Sequence, residues 1–162
     1  MAGAVNGAGT TADVRWLSTS EQEVWRAFLD VSRLLFEQLN RQLSDDAGMS
    51  LAEYEILVQL SEAPGRRMRM SELADRVVSS RSRITHTVGR MEERGLVRRE
   101  ACADDGRGVL CVLSAAGFAR LETTAPGHVD MVRRIMFDPL DPSDVDGLGA
   151  ALVKMREMLR GC

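Results

Sequence analysis

The sequence predicts a mainly α fold with a small β-wing: a winged helix-turn-helix joined to a helical dimerisation region formed by the N- and C-terminal helices. Three observations carry this reading. Residues 81–94 repeat at helical period and keep a small, polar and basic outer face. Directly after them the period turns extended, and two β-rich runs flank an Asp/Gly cluster. Long apolar stripes at helical spacing stand near both ends of the chain, outside that central pattern.

With 162 residues, a single integrated domain is expected, and 44% hydrophobic content is ample for a core. Aromatic content is only 4%, so aliphatic side chains and the nine methionines must fill that core. Net charge is −3, but it is unevenly spread. Arg66 to Arg107 holds 11 arginines against 7 acidic residues, while the remainder carries 10 basic and 17 acidic residues. A basic middle between acidic ends suggests a localised anion-binding surface, with a solvated charged surface as the alternative. No apolar run reaches the length of a membrane span. Residues 1–13 are Gly/Ala/Thr-rich without the basic start of a signal peptide and read as a disordered tail. Cys102, Cys111 and Cys162 give neither a disulfide framework nor metal-ligand spacing, so a reducing, cytoplasmic setting without metal or cofactor is expected.

The first helix opens at Ser18, with Ser18/Glu21 and Ser20/Glu23 both at capping-box spacing. Val24, Phe28, Val31, Leu35 and Leu39 form one stripe, widened by Trp25, Leu34 and Leu43, and Asp45 to Gly48 end the helix after about Leu43. Residues 14–48 are thus an N-terminal helix, and so wide a stripe suggests burial against more than one partner. Ser50 and Glu53 box a second helix, which stops before Pro64-Gly65, and Arg66 to Met70 suit a short strand. Ser71 is expected to cap a third helix, Glu72 to Val78, and Ser79-Ser80 a fourth, Arg81 to Arg94, stopped by Gly95. Leu96 to Glu100 and Val109 to Leu113 then make a hairpin around Asp104 to Gly108. Residues 49–114 are expected to form the winged helix-turn-helix lobe. Residues 115–162 hold the C-terminal dimerisation helices. Ser114 caps the first of them, which Pro126-Gly127 must kink or break. The last carries Leu148, Leu152, Met155 and Leu159 on one stripe.

In the fourth helix Ile84, Val88 and Met91 form the inner face. Ser82, His86, Gly89 and Arg90 point away, flanked by Arg83 and Thr85. Such side chains enter a major groove and meet base edges. Ser79, Ser80 and the free N–H groups ahead of Arg81 suit a phosphate. A solvated face would mix Glu and Lys at i, i+4, whereas acids stand only in the last turn, at Glu92 and Glu93. On the hairpin tip, Arg107 suits a minor groove, with Asp105 placed to hold its guanidinium; an ordinary turn is the alternative.

These stretches resemble the MarR family of bacterial transcription regulators over roughly Leu17 to Leu159. The carrying segments are Met70 to Asp75, Ser79 to Thr85, Arg90-Met-Glu-Glu-Arg-Gly-Leu-Val97, and Asp105-Gly-Arg-Gly108 leading to Leu113-Ser-Ala-Ala-Gly117. The resemblance implies a homodimer joined through the first and last two helices, binding double-stranded DNA at a pseudo-palindromic operator, usually as a repressor that a small-molecule effector releases. It also implies a ligand pocket between the dimer helices and the DNA-binding lobe, for which Trp16, Trp25, Arg26, Tyr54 and His128 are the candidates; core packing of Trp25 and Tyr54, and bracing of the kink by His128, are the alternatives. Cys102 and Cys111 lie on opposite hairpin strands at separations that could make them near neighbours; they read as two inert strand cysteines, with a cysteine-based redox-sensing regulator as one rival reading. A winged-helix module that binds protein is another. An enzyme is disfavoured, because nucleophile elbow, P-loop, dinucleotide fingerprint and HExxH are all lacking and only two histidines are present.

Overall fold

The structure, a computed structural model, describes residues 14–102 and 108–161. The N-terminal tail, the wing-tip residues Asp105 and Arg107, and Cys162 lie outside the described residues. The chain divides after Leu34 into two units.

Helix α1 spans Thr19–Ala47. Of the two capping boxes offered, Ser18/Glu21 forms: the Ser18 N–H donates to Glu21 Oε2 at 2.7 Å and the Glu21 N–H to Ser18 Oγ at 3.3 Å. The helix runs one turn beyond the expected end because Gly48, at φ +56, supplies the left-handed terminator, and the Met49 N–H reaches back to the Leu43 carbonyl. Helix α2, Leu51–Glu62, starts at the predicted Ser50/Glu53 box. Strand β1, Arg67–Arg69, runs straight into helix α3, Met70–Arg76. Here Ser71 lies inside the first turn and caps nothing; the cap position falls to Arg69, which makes no side-chain cap bond. Helix α3 also ends before Val77. Val78 adopts φ 48, and the Ser79 N–H bonds the Ala74 carbonyl at 3.0 Å. A β-branched residue thus occupies a place usually given to glycine, which no helix-period argument anticipates.

Helix α4, Arg81–Glu93, follows, with Ser80 Oγ accepting from the Arg83 N–H and Gly95 at φ +71 behind it. Strands β2, Val97–Ala101, and β3, Val109–Leu113, form the expected antiparallel hairpin. Strand β1 pairs with the other edge of β3, Met68 opposite Cys111, giving the order β1-β3-β2. Cys111 therefore faces Arg99 and Met68, not Cys102, which sits past the end of β2 and bonds Gly108. Three residues of strand, about 10 Å, separate the two cysteines, beyond the span of a disulfide. Both are free thiols, and burial, reinforced by the Glu92 charge, pushes the Cys111 thiol up to about 12.

Helix α5, Ala115–Val132, is capped by Ser114. Its start approaches the α4–β2 corner so closely that a Cβ on Gly117 would stand 2.0 Å from the Leu96 carbonyl oxygen, which explains the glycine there. Pro126 lies inside α5 without breaking it. Pro126 and Glu122 are both exposed, so water can meet the carbonyl that proline leaves unbonded. A π turn at Arg133–Phe137 follows, then helix α6, Pro142–Arg160, boxed by Asp141 and Asp144 with proline in its first turn.

The core lies among α2, α3, α4 and the sheet: Ile56, Leu57, Leu60, Leu73, Val88 and Met91 are fully buried. On α6 every residue is exposed except half-buried Val145.

Candidate functional site

Helix α4 is held from within by Ile84, Val88 and Met91, all buried as its period requires. Its outer face carries Arg81, Ser82, Arg83, Thr85, His86 and Arg90, all exposed. Most of these, with Gly89 and Glu93, line a shallow concavity of about 590 Å³. Glu93 is the member that the sequence argument set aside as a last-turn acid. In the concavity it is an acceptor, the chemistry that reads a cytosine amino group.

The arginines divide into two classes. Arg76 pairs with Glu72 at 2.9 Å, Arg94 with Glu53 at 3.0 Å, Arg98 with Glu100 at 2.5 Å and Arg99 with Glu92 at 2.7 Å. Arg81, Arg83 and Arg90 have no ion-pair partner among the described residues. Their guanidinium groups stand ready for an anion; Arg81 and Arg83 lie in the first turn of α4, which holds no acid, and Arg90 lies in its last turn. The hydroxyls are similarly sorted. Ser80 Oγ accepts from the helix and keeps its proton to donate, whereas Thr85 Oγ1 donates to the Arg81 carbonyl at 2.8 Å and meets a partner as acceptor or through its methyl.

Two paired arginines fix this face in place, and sequence reasoning missed both. Arg94, just past α4, donates to Glu53 Oε1 and to the Gly48 carbonyl, both at 3.0 Å, tying the end of α4 to the α1–α2 corner. Glu53 is 5% exposed and also closes the α2 capping box. Arg99 donates its backbone N–H and its Nε to the two oxygens of Glu92, locking β2 onto α4; those bonds hold the Glu92 carboxyl below its usual range. Neither partner is visible from spacing, because each bond joins separate elements.

The predicted pocket residues separate. Tyr54 and His128 come together, ring centroids 4.3 Å apart at 46°, in the wall of an open cavity of about 900 Å³. Phe36, Leu39, Leu51 and Val58 supply its apolar lining, and Arg76, Val77 and Val78, the end of α3 and the turn before α4, form another wall. Trp16, Trp25 and Arg26 belong to the other unit, all exposed. There Trp25 stacks on Phe28 and Arg26 bonds Gln22. Burial raises Tyr54 and Glu55 above their ordinary values and lowers His128 below its own. Among the described residues no cluster suited to a metal ion forms, and no helix is long and apolar enough to cross a membrane.

Comparison with known proteins agrees with this geometry. Residues 47–108 match the MarR family. AbsC, a MarR family transcriptional regulator from Streptomyces coelicolor, is 46% identical, with 92% of this chain and 100% of that one covered at a TM-score of 0.87. Sco3205, a MarR family regulator from the same organism solved in complex with DNA, is also 46% identical, covering 91% and 92% of the two chains with a TM-score of 0.88. The transcriptional repressor YetL of Bacillus subtilis (strain 168) is 27% identical over 114 residues, 70% of this chain and 68% of that protein.

Proposed function

Since the chain belongs to the MarR family and is a winged-helix transcription regulator, we propose that it acts in the cytoplasm as a homodimer on a pseudo-palindromic operator, repressing until a small effector binds. The observation that carries the DNA contact is the trio Arg81, Arg83 and Arg90, unpaired among the described residues on the polar face of α4, while Arg76, Arg94 and Arg99 are spent on the fold. Ser79, Ser80 and Arg81 take phosphate; Ser82, Arg83, Thr85, His86 and Arg90 meet base edges, joined by Glu93. The wing residues Asp105 and Arg107 complete the set at the minor groove. Sco3205, similar over nearly the whole chain, is described in complex with DNA, which supports the same use here.

The dimer reading rests on apolar surface. On α6 Leu148, Leu152, Met155 and Leu159 are exposed by 36% or more, and on α1 Val24, Phe28 and Val31 by 47% or more. Water rarely wets two such stripes unless a second surface covers them. A two-fold dimer would set two α4 helices about 34 Å apart, in successive major grooves. The Tyr54–His128 cavity is the effector site in this reading, because one of its walls is the turn that launches α4.

The test is selection of bound fragments from the parent genome, followed by a gel-shift series in salt. Binding should weaken steeply as salt rises, with sedimentation showing two chains per site. A single chain per site, or affinity indifferent to salt, overturns the reading.

A further inference from the structure

Helix α4 holds an interior glycine, Gly89, for which the rest of the chain supplies no reason. Glycine weakens a helix interior relative to alanine, because its unfolded backbone has more freedom to lose. The φ of Gly89 is not positive, so alanine would take up the same backbone angles without strain. Packing does not exclude a side chain either: a Cβ built there meets no heavy atom within 4 Å beyond its own stretch of helix. Gly117 is the opposite case, since the Leu96 carbonyl already fills the space that its Cβ would need.

The place of the gap narrows what fills it. Gly89 shares one stripe of α4 with Ser82, His86 and Glu93, turned from the core, and lines the shallow concavity of that face. Arg90 and Glu93 line it too. They stand one turn apart, a spacing at which such residues commonly pair, yet neither has an ion-pair partner among the described residues. A donor and an acceptor are therefore both available at the rim of the dent. Its floor is chemically different. Inside a helix the backbone N–H and carbonyl are spent on the turns before and after, so the floor at Gly89 presents only Cα hydrogens. It neither donates nor accepts. Base edges in the major groove show donors and acceptors throughout, and the apolar group among them is the C5 methyl of thymine.

We propose that Gly89 is a specificity-determining residue whose bare backbone seats a thymine C5 methyl, an approach close enough to bring Arg90 and Glu93 within hydrogen-bond reach of neighbouring base edges. The inference rests on the DNA contact proposed above and names one base feature which that contact reads. A side chain at 89, even a methyl standing about 1.5 Å further out, would hold the helix off the bases and stretch those hydrogen bonds.

The experiment sets a methyl added to the protein against a methyl removed from the DNA. It uses the full chain, wild type and Gly89→Ala, on an operator recovered by the genomic selection and on copies in which each thymine in turn is replaced by deoxyuridine. Gly89→Ala is expected to melt a few degrees higher than wild type, since alanine favours the helix. It should nevertheless bind the operator about tenfold more weakly, while binding to random-sequence duplex, carried by phosphate contacts, stays the same. Deoxyuridine at one thymine of each half-site should cost the wild type about fivefold. At that same position Gly89→Ala should prefer deoxyuridine to thymine, because its own methyl takes the vacated place. A change in stability cannot produce that reversal. Full operator affinity in Gly89→Ala, an equal loss on random duplex, a lower melting temperature, or an operator in which no thymine methyl matters each overturns the proposal. So does a deoxyuridine effect that is alike in both proteins. Wild-type protein that binds no duplex sinks the regulator reading as well, whereas salt-dependent wild-type binding with a failed methyl series counts against Gly89 alone.

Discussion

Helices α4 and α6 are both amphipathic, and the chain treats them in opposite ways. In α4 the apolar face, Ile84, Val88 and Met91, is buried by the chain's own core, and the polar face is left bare. In α6 the apolar face is left bare, with Met155 46% and Leu159 76% exposed and no buried residue anywhere along the helix. A helix completed by its own chain can offer its polar side to a ligand in a fixed orientation. A helix left incomplete offers apolar area, and in the proposed dimer that area is what a second copy would remove from water, at roughly 25 cal/mol per Å². The first arrangement suits recognition; the second, in the proposed dimer, would drive assembly.

The largest effect should come from spoiling the incomplete helix. Leu152→Glu with Met155→Glu places two charges on the α6 stripe while touching nothing in the core. The expected outcome is a monomer by light scattering, an unaltered lobe by circular dichroism, and operator affinity lower by about 100-fold or more, the avidity of two linked half-sites. A variant that remains dimeric with full affinity breaks the contrast between the two helices.

Next come the residues on the completed helix. Arg90→Ala should cost roughly 1–3 kcal/mol of binding at the operator and relax preference at one base position, with melting temperature unmoved. Arg81→Ala should weaken all sequences alike and lower the salt slope by about one. By contrast Arg94→Ala should act on stability. It strips the partner from buried Glu53 and a donor from the Gly48 carbonyl, for a loss of about 1–2 kcal/mol in denaturant unfolding, moderated by the partial exposure of Arg94. If Arg94→Ala weakened DNA binding at unchanged stability, the division into spent and available arginines would fail.

That division also marks how far the sequence could be read. Local signals were legible because their physics is local. The Ser50/Glu53 box, the Ile84-Val88-Met91 face and the Gly95 stop each lie within one or two turns of chain, and each forms as spaced. Contacts between elements were not legible. Nothing near Arg94 or Arg99 announces Glu53 or Glu92 as its partner, so all the basic residues of the middle segment looked alike. Pro126 does not break α5, because the rule about proline concerns an unbonded carbonyl and says nothing of whether water can reach it. Ser71 looked like a cap because its type and spacing suit one, but β1 reaches Arg69 and hands directly to α3. Cys102 and Cys111 looked adjacent because register cannot be counted through a turn of unknown shape. Of the pocket candidates, Tyr54 and His128 meet although 74 positions separate them, a contact that rests on the packing of α5 against α2.

The smallest expected effect sharpens the comparison from the side of the cavity. Burial holds the folded-state pKa of His128 below its ordinary 6.5. As pH falls, the unfolded chain therefore takes up this proton first, and protonation pulls the equilibrium toward unfolding. The stabilising contribution of a neutral His128 is complete above about 6.5 and drains away as pH drops through that value toward the lower folded pKa. Glutamine at 128 can still donate to Gln42, whose Oε1 lies 3.3 Å from His128 Nδ1, but does not titrate, so the difference in unfolding free energy between wild type and His128→Gln should shrink or change sign between pH 7.5 and 5, at about constant m-value. A difference that stays flat across that range would mean that His128 keeps its ordinary proton affinity in the folded protein. The cavity wall beside Tyr54 would then carry a positive charge as pH falls.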